Sequence, residues 1–454
     1  MRARAQRTFF AALFAAGILL VNPDSTATEP FATLDAELGA VVNDPAHPLA
    51  SLSVLAIRDG AVVYQRQFGY RHIDPAISAN NLPADPDTLY RVASISKLVT
   101  ALGAMKLVEQ GKLSLDADVG PLLGYPLRNP HFPSRAITLR MLLSHTSSLR
   151  DDAGYFWDAR HALKDLLSPG GSLYGSGAMW ARNAPPGGYF SYTNLNSAIV
   201  AALMERAGGE RFDRLMQRLI LVPMGLRGGF NPAEFSAAEL NNLAALYRKR
   251  SEINGKEIWN STGPWVPQVD DYSRNPPLPR AGPDYVLGSN GTLQSPQGGL
   301  RISAADLGKI MLMLINQGKH EGRQILKAAS LAAMFAEQWR HDGKSGNGDT
   351  YRGLFHAWGL GNQHFLDLSA PGSGDRLVEG GGFTGVGHLG DAWGLTAAFV
   401  FDPAARNGAI YLIGGPGTDP ETYKGHYSSR SRYEEKIMTA LYRRAILNTD
   451  QHER

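Results

Sequence analysis

Ser94 and Lys97 stand three residues apart in Ser94-Ile95-Ser96-Lys97. A short extended approach, 88–93, gives way there to a run with Leu98, Leu102 and Met105 at helical spacing. One helical turn separates the two side chains, so both face the same way. The start of a helix places partial positive charge beside the serine. A lysine held close and partly desolvated can lose its proton and serve the hydroxyl as a base. A second pattern, Tyr192-Thr193-Asn194, follows the turn-rich stretch 185–191. Its phenol and amide lie on one side of an extended turn, where they can relay a proton and hydrogen-bond a substrate amide. A third, Gly387-His388-Leu389-Gly390, falls on a predicted strand whose glycines allow a ligand to come close.

Taken singly, these patterns are common. About one Ser-x-x-Lys is expected by chance in a chain of this length. The blander reading is a helix-capping serine with an exposed lysine, and for the second pattern a Tyr and Asn in a turn. Two more His-x-Gly matches, at His320 and His341, lie in polar, turn-like segments, as does Lys344-Ser345-Gly346.

The elements that must position these residues follow from periodicity. Residues 31–43 read as a short amphipathic helix, with Leu34, Leu38 and Val41 on one side. Residues 51–57 and 61–68 read as a β-hairpin around Asp59-Gly60. Helical spacing runs from 94 to 110 and stops at Gly111. The stretch 112–290 reads as helical patches broken by Gly and Pro, with 195–206 and 211–221 the best helices. Residues 259–290, with six prolines, two Trp and two Tyr, read as a long ordered loop or flap. Helices at 303–317 and 327–337 precede strands at 356–360, 385–389, 394–401 and 408–414, and a closing helix spans 431–447. The expected architecture is α+β: one antiparallel sheet built from both chain ends, flanked by helices, with a mostly helical lobe inserted. The sheet part takes about 31–93 and 296–450 and the lobe about 112–295, within one domain over 28–450. The cleft between them is the expected site.

Composition bounds the chemistry. The chain has 454 residues, 43% hydrophobic and 19% charged, which excludes a disordered chain. Its 45 basic and 42 acidic residues give a net charge of +3, no footprint for nucleic acid. With no cysteine, disulfides, thiolate metal sites and a cysteine nucleophile are all excluded. The histidines show no metal-ligand spacing, and no cofactor or metal is expected. The glycine-rich stretches 380–385 and 385–390 do not open a helix in a βαβ unit, so no dinucleotide site is read there. No G-x-S-x-G occurs, which argues against an α/β-hydrolase. Arg2, Arg4 and Arg7, an apolar run at 9–21 and Ser25-Thr26-Ala27 describe a secretory signal over 1–27, cleaved after Ala27. The expected protein is periplasmic or secreted, with no stable membrane span once the signal is removed; the sequence says nothing of oligomeric state.

The three patterns, in this order and context, resemble the serine β-lactamase and penicillin-recognising enzyme superfamily. The likeness is to the branch of class C β-lactamases, D-alanyl-D-alanine carboxypeptidases and esterases. Residues 137–149, ending His145-Thr146-Ser147-Ser148-Leu149, resemble that branch's helix and His-Thr-Ser-Gly-Leu segment. Pro223-Met224-Gly225-Leu226 and Ser295-Pro296-Gln297-Gly298-Gly299-Leu300 are similar to further landmarks. The resemblance implies a β-lactamase/transpeptidase-like fold and an acyl-enzyme on Ser94. It implies Lys97 as proton acceptor, Tyr192 as general acid/base, Asn194 on the substrate's acylamide, and an oxyanion hole from the N–H groups of Ser94 and Asp391, with Gly390 beside it. Substrates of such an enzyme are β-lactams, D-amino-acid peptides of peptidoglycan, or esters. A non-turnover penicillin-binding sensor is the alternative outside catalysis. His388 stands where many relatives have Lys, and a mostly neutral imidazole implies weaker or pH-dependent carboxylate recognition. Ser148 replaces a frequent Gly. His145 is expected to be a buried structural residue.

Overall fold

The computed structural model describes residues 31–344 and 346–448; the expected signal at 1–27 and Ser345 lie outside them. The centre is a nine-stranded antiparallel sheet. From one edge its strands run Trp339–Arg340, Ala357–Trp358, Gln363–Phe365, Gly385–Ala392, Leu395–Asp402, Asn407–Ile413, Ser51–Arg58, Ala61–His72 and Leu82–Pro83. The two chain ends meet in the middle, with Leu52 opposite Ile413 and Ile57 opposite Gly408.

Alternation assigns the faces. Leu52, Val54, Ala56, Tyr411 and Ile413 pack under the helices Ala32–Val42 and Arg432–Ala440. Leu55, Ile57, Phe399, Phe401 and Ile410 pack under Ile95–Glu109 and Ala304–Ile315. With both faces covered, the central strands read as near-continuous apolar runs. Ser431 and Glu434 form a capping box at the start of the last helix. No helix among the described residues is long and apolar enough to cross a membrane.

The inserted lobe departs from the expected helical patches. Leu246–Ile253 pairs with both Lys256–Trp259 and Trp265–Val269 in a three-stranded sheet. The central strand carries Arg248, Lys249 and Arg250 in a stretch that reads in sequence as helical patches broken by Gly and Pro. In place, the guanidiniums of Arg248 and Arg250 lie 5.3 and 4.4 Å from the Trp259 ring, and Lys249 Nζ lies 5.5 Å from Trp265. Cation–π contact and aliphatic stems make that strand. The flap expected at 259–290 thus begins as sheet. It is pinned by Asp270, whose carboxylate takes Nε and Nη2 of Arg301 at 2.9 and 2.7 Å, both side chains fully buried. The expected helix 211–221 is α-helical only over Phe212–Met216 and continues as a π-turn to Leu221.

Candidate active site

The helix Ile95–Glu109 is buried on nearly every side and carries Lys97 inward with it, 4% exposed. Ser94 precedes the helix in αR conformation and makes no side-chain cap, so the capping-serine reading does not hold. Lys97 Nζ has three oxygen partners: Ser94 Oγ at 2.9 Å, Asn194 Oδ1 at 2.8 Å and the Gln297 carbonyl at 3.0 Å. Burial pulls the lysine pKa down to about 7, against an opposing pull from the Asp151 charge. Neutral amine is therefore abundant near pH 7. It has two protons and one lone pair. Asn194 Oδ1 and the Gln297 carbonyl can only accept, so they take the two protons. The lone pair is left for the one partner with a proton to give, the Ser94 hydroxyl.

Asn194 is oriented by Asp151, which the sequence reading did not select. Asp151 Oδ2 accepts from the Asn194 backbone N–H and Nδ2 at 2.8 and 2.9 Å, and Oδ1 accepts from the Leu195 N–H at 3.0 Å. The carboxylate thereby caps the helix Leu195–Gly208 and fixes which end of the Asn194 amide faces Lys97. One Nδ2 proton remains for a substrate acylamide. No local pattern marks Asp151, because its partners lie some forty residues on.

The Tyr192 ring lies 4.8 Å from Lys97 Nζ. Burial raises its pKa above the ordinary phenol range, offset in part by the Ser94 hydroxyl, so Tyr192 is a phenol that can donate. Against it lies His145, ring centroids 4.5 Å apart and the rings tilted by 31°. His145 Nδ1 accepts from the Thr193 N–H at 3.0 Å. Burial and the Lys97 charge hold that imidazole neutral. It is the buried, hydrogen-bonded histidine expected, and it backs the phenol. Ser148 sits at φ +72, a left-handed conformation that glycine takes freely. Its hydroxyl bonds the Ala184 carbonyl at 2.6 Å and receives Asn129 Nδ2 at 2.6 Å, which holds the strained residue in place.

The third pattern lies on Gly385–Ala392 beside this group, but its parts differ from the expectation. The close approach at its glycines is made by backbone rather than ligand: a Cβ on Gly390 would stand 2.6 Å from the Val92 carbonyl oxygen, and one on Gly387 1.9 Å from that of Phe399. His388 is 2% exposed, with Nδ1 at 2.6 Å from the Leu389 carbonyl and its ring 5.4 Å from Trp358. Burial, then the Lys97 charge, lower its pKa to about 3. It stays neutral at working pH and does not line the cavity, so pH-dependent carboxylate binding by His388 has no support in this geometry. Asp391 does line it. The Ser94 N–H has no backbone acceptor among the described residues, while the next two, Ile95 and Ser96, are tied to Val92 and Ala93.

Over Ser94 opens a cavity of about 440 Å³. Ser94, Tyr192 and Asn194 form its floor; Gln297, Gly298 and Asp391 bound it; Tyr155, Phe156 and Trp393 add aromatic surface. Trp393 sits at φ +58 and Gly394 at φ +90, a two-residue hairpin turn of the I′ type. Among the described residues no group of His, Asp and Glu could hold a metal ion.

This chain is similar to Penicillin-binding protein 4* of Bacillus subtilis (strain 168), 30% identical over 38% of this chain and 36% of that protein. It is also similar to Esterase EstB of Burkholderia gladioli, 30% identical over 45% of this chain and 53% of the esterase. The chain thus spans about a third to a half of these two relatives. The octameric penicillin-binding protein homologue from Pyrococcus abyssi shares the fold, with a TM-score of 0.58 at 23% identity, covering 86% of this chain and 74% of that one. The Beta-lactamase family model matches residues 34–431, a span that takes in Ser94, Lys97, Tyr192 and the strand of His388. With that span and this fold, the chain belongs to the beta-lactamase family.

Proposed function

We propose that the protein is an exported serine hydrolase that forms an acyl-enzyme on Ser94 and acts on amide bonds of the β-lactam or D-amino-acid peptide type. The observation that carries this is the 2.9 Å contact of the buried Lys97 Nζ with Ser94 Oγ, its other two partners being oxygens that can only accept. Lys97 takes the hydroxyl proton as Oγ bonds to the substrate carbonyl carbon. The N–H groups of Ser94 and Asp391 receive the oxyanion. The C–N bond then breaks, and Tyr192 hands the departing nitrogen a proton that Lys97 resupplies. Water adds to the acyl carbon, its proton passes through the same pair to Oγ, and the bond between Oγ and the acyl carbon breaks.

Ester hydrolysis is the second reading. It is favoured by the buried, neutral His388 and by the likeness to an esterase. The steps are the same, with an alcohol leaving.

Intact mass spectrometry against time tests both readings, with a penicillin, a carbapenem and an activated ester offered in turn. A mass gain that decays with product release identifies a hydrolase for that compound. A gain that persists identifies a penicillin-binding peptidase or sensor. Ser94→Ala is expected to abolish adduct and turnover; residual activity above about a hundredth of wild type overturns the nucleophile assignment.

A further inference from the structure

Three arginines cluster beside the cavity with one carboxylate among them. Arg301 uses that carboxylate, Asp270, in a buried two-pronged pair. Arg91 and Arg280 are left with neutral acceptors. Arg91 Nε donates to the Gly298 carbonyl at 2.9 Å, and Arg280 Nη1 donates to Ser295 Oγ at 2.9 Å and the Leu293 carbonyl at 3.2 Å. Both residues line the cavity that holds Ser94. Arg91 is buried, and burial followed by the Arg301 charge holds its pKa down to about 10, offset in part by the Asp270 charge, which Arg301 already engages. Cations taken out of water without an anion are costly unless a ligand supplies one. Asp391 shares the cavity, but the charges it feels are those of Glu434, Arg248 and Glu421. The Gln297 amide oxygen is buried without a partner among the described residues, and Gln297 lines the same cavity.

The position of the two arginines narrows what the anion belongs to. Their neighbours are Gly298, Ser295, Phe156 and Trp393. The aromatic neighbours of Tyr192 form a separate set: His145, Tyr351, Phe355, Trp358 and His388. Those rings do not line the cavity, and among the described residues neither Phe156 nor Trp393 pairs with the Tyr192 ring, so a leaving group protonated by Tyr192 departs on the phenol's side of the cavity, apart from the arginines. The arginines therefore face the part of the substrate that stays on Ser94.

We propose that Arg91 and Arg280 form an anion subsite for the acyl portion, so that preferred acyl donors carry a carboxylate on the acyl chain. This rests on the acyl-enzyme reading of Ser94. The planar, permanently charged guanidinium suits a carboxylate better than a lysine would.

The test compares two esters with one leaving group, mono-4-nitrophenyl adipate and its methyl-capped neutral analogue. Wild type is expected to favour the anionic ester in kcat/KM. Arg280→Gln is expected to remove about tenfold of that preference while the neutral ester changes less than about twofold. Arg280→Lys should restore part of it, and the neutral ester reports whether each variant is folded. Monomethyl adipate binding to Ser94→Ala, measured by calorimetry, is expected to weaken about tenfold when Arg280→Gln is added. A wild-type preference absent, or unchanged in Arg280→Gln, overturns the subsite, as does calorimetry without binding. Turnover of either ester by Ser94→Ala overturns the acyl-enzyme reading instead.

Discussion

Asp151 holds Asn194 at two points, its backbone N–H and its side-chain Nδ2, and so turns Asn194 Oδ1 onto Lys97 Nζ. A carboxylate outside the three sequence patterns thereby orients, in the second, a partner of the lysine in the first. Asp151→Asn removes the anion and one acceptor without changing shape. We expect kcat to fall about tenfold or more. The Asp151 charge raises the Lys97 pKa, so its loss moves the acidic limb of the kcat/KM profile to lower pH. A limb that stays in place leaves Asp151 as a helix cap alone.

The acidic limb itself is the second prediction. With Lys97 titrating at about 7, kcat/KM rises through that pH with a one-proton slope. Stability carries the same signature. Between about 7 and the ordinary lysine value the unfolded chain binds the extra proton. The stability of wild type relative to Lys97→Met therefore grows as pH rises through that window and is flat below it. Denaturant midpoints across pH check the sign.

Tyr192→Phe keeps the ring against Lys97 and removes the donor. We expect kcat to drop by about 10²–10⁴-fold, the range for a lost acid/base group. The acidic limb should stay with Lys97, because the phenol titrates far above it. A limb that vanishes with the hydroxyl would assign that titration to Tyr192.

Asp270→Asn leaves Arg301 charged, buried and unpaired. The expected loss is about 3–5 kcal/mol, read by urea unfolding. The small sheet carrying residues 265–269 should loosen first, seen as faster amide exchange there. A loss within about 0.5 kcal/mol, as at an ordinary surface site, would show that the pair does not anchor the lobe.

Much of this was legible in the sequence because it is periodic. The hairpin at 51–68, the helix that carries Lys97 and the late strands each declare themselves by spacing, and their pairing across the chain follows from layer rules. The small sheet at 246–269 was not, because Arg248, Lys249 and Arg250 owe their strand to aromatics on neighbouring segments. The role of Gly390 was half legible: the need for no side chain was visible, but the Val92 carbonyl that requires it was not. His388, Asp151 and Arg280 acquire their surroundings only in three dimensions. A histidine on a strand carries no mark of the burial that silences its charge, and a loop arginine none of the cavity it borders.

The sheet's middle seam joins Leu52 to Ile413, and this governs the order in which the molecule can come into being. During synthesis the hairpin 51–72 emerges early, with the edge of its first strand unpaired and apolar. Its partner is the last long strand made, so nearly the whole chain must be present before the gap closes. Until then that edge is open to pairing with another chain. A product cut short between residues 195 and 384 contains Ser94, Lys97 and Tyr192 yet lacks the strand bearing Asp391, the donor proposed for the oxyanion, and so it is unfinished as a fold and is expected to be silent as a catalyst.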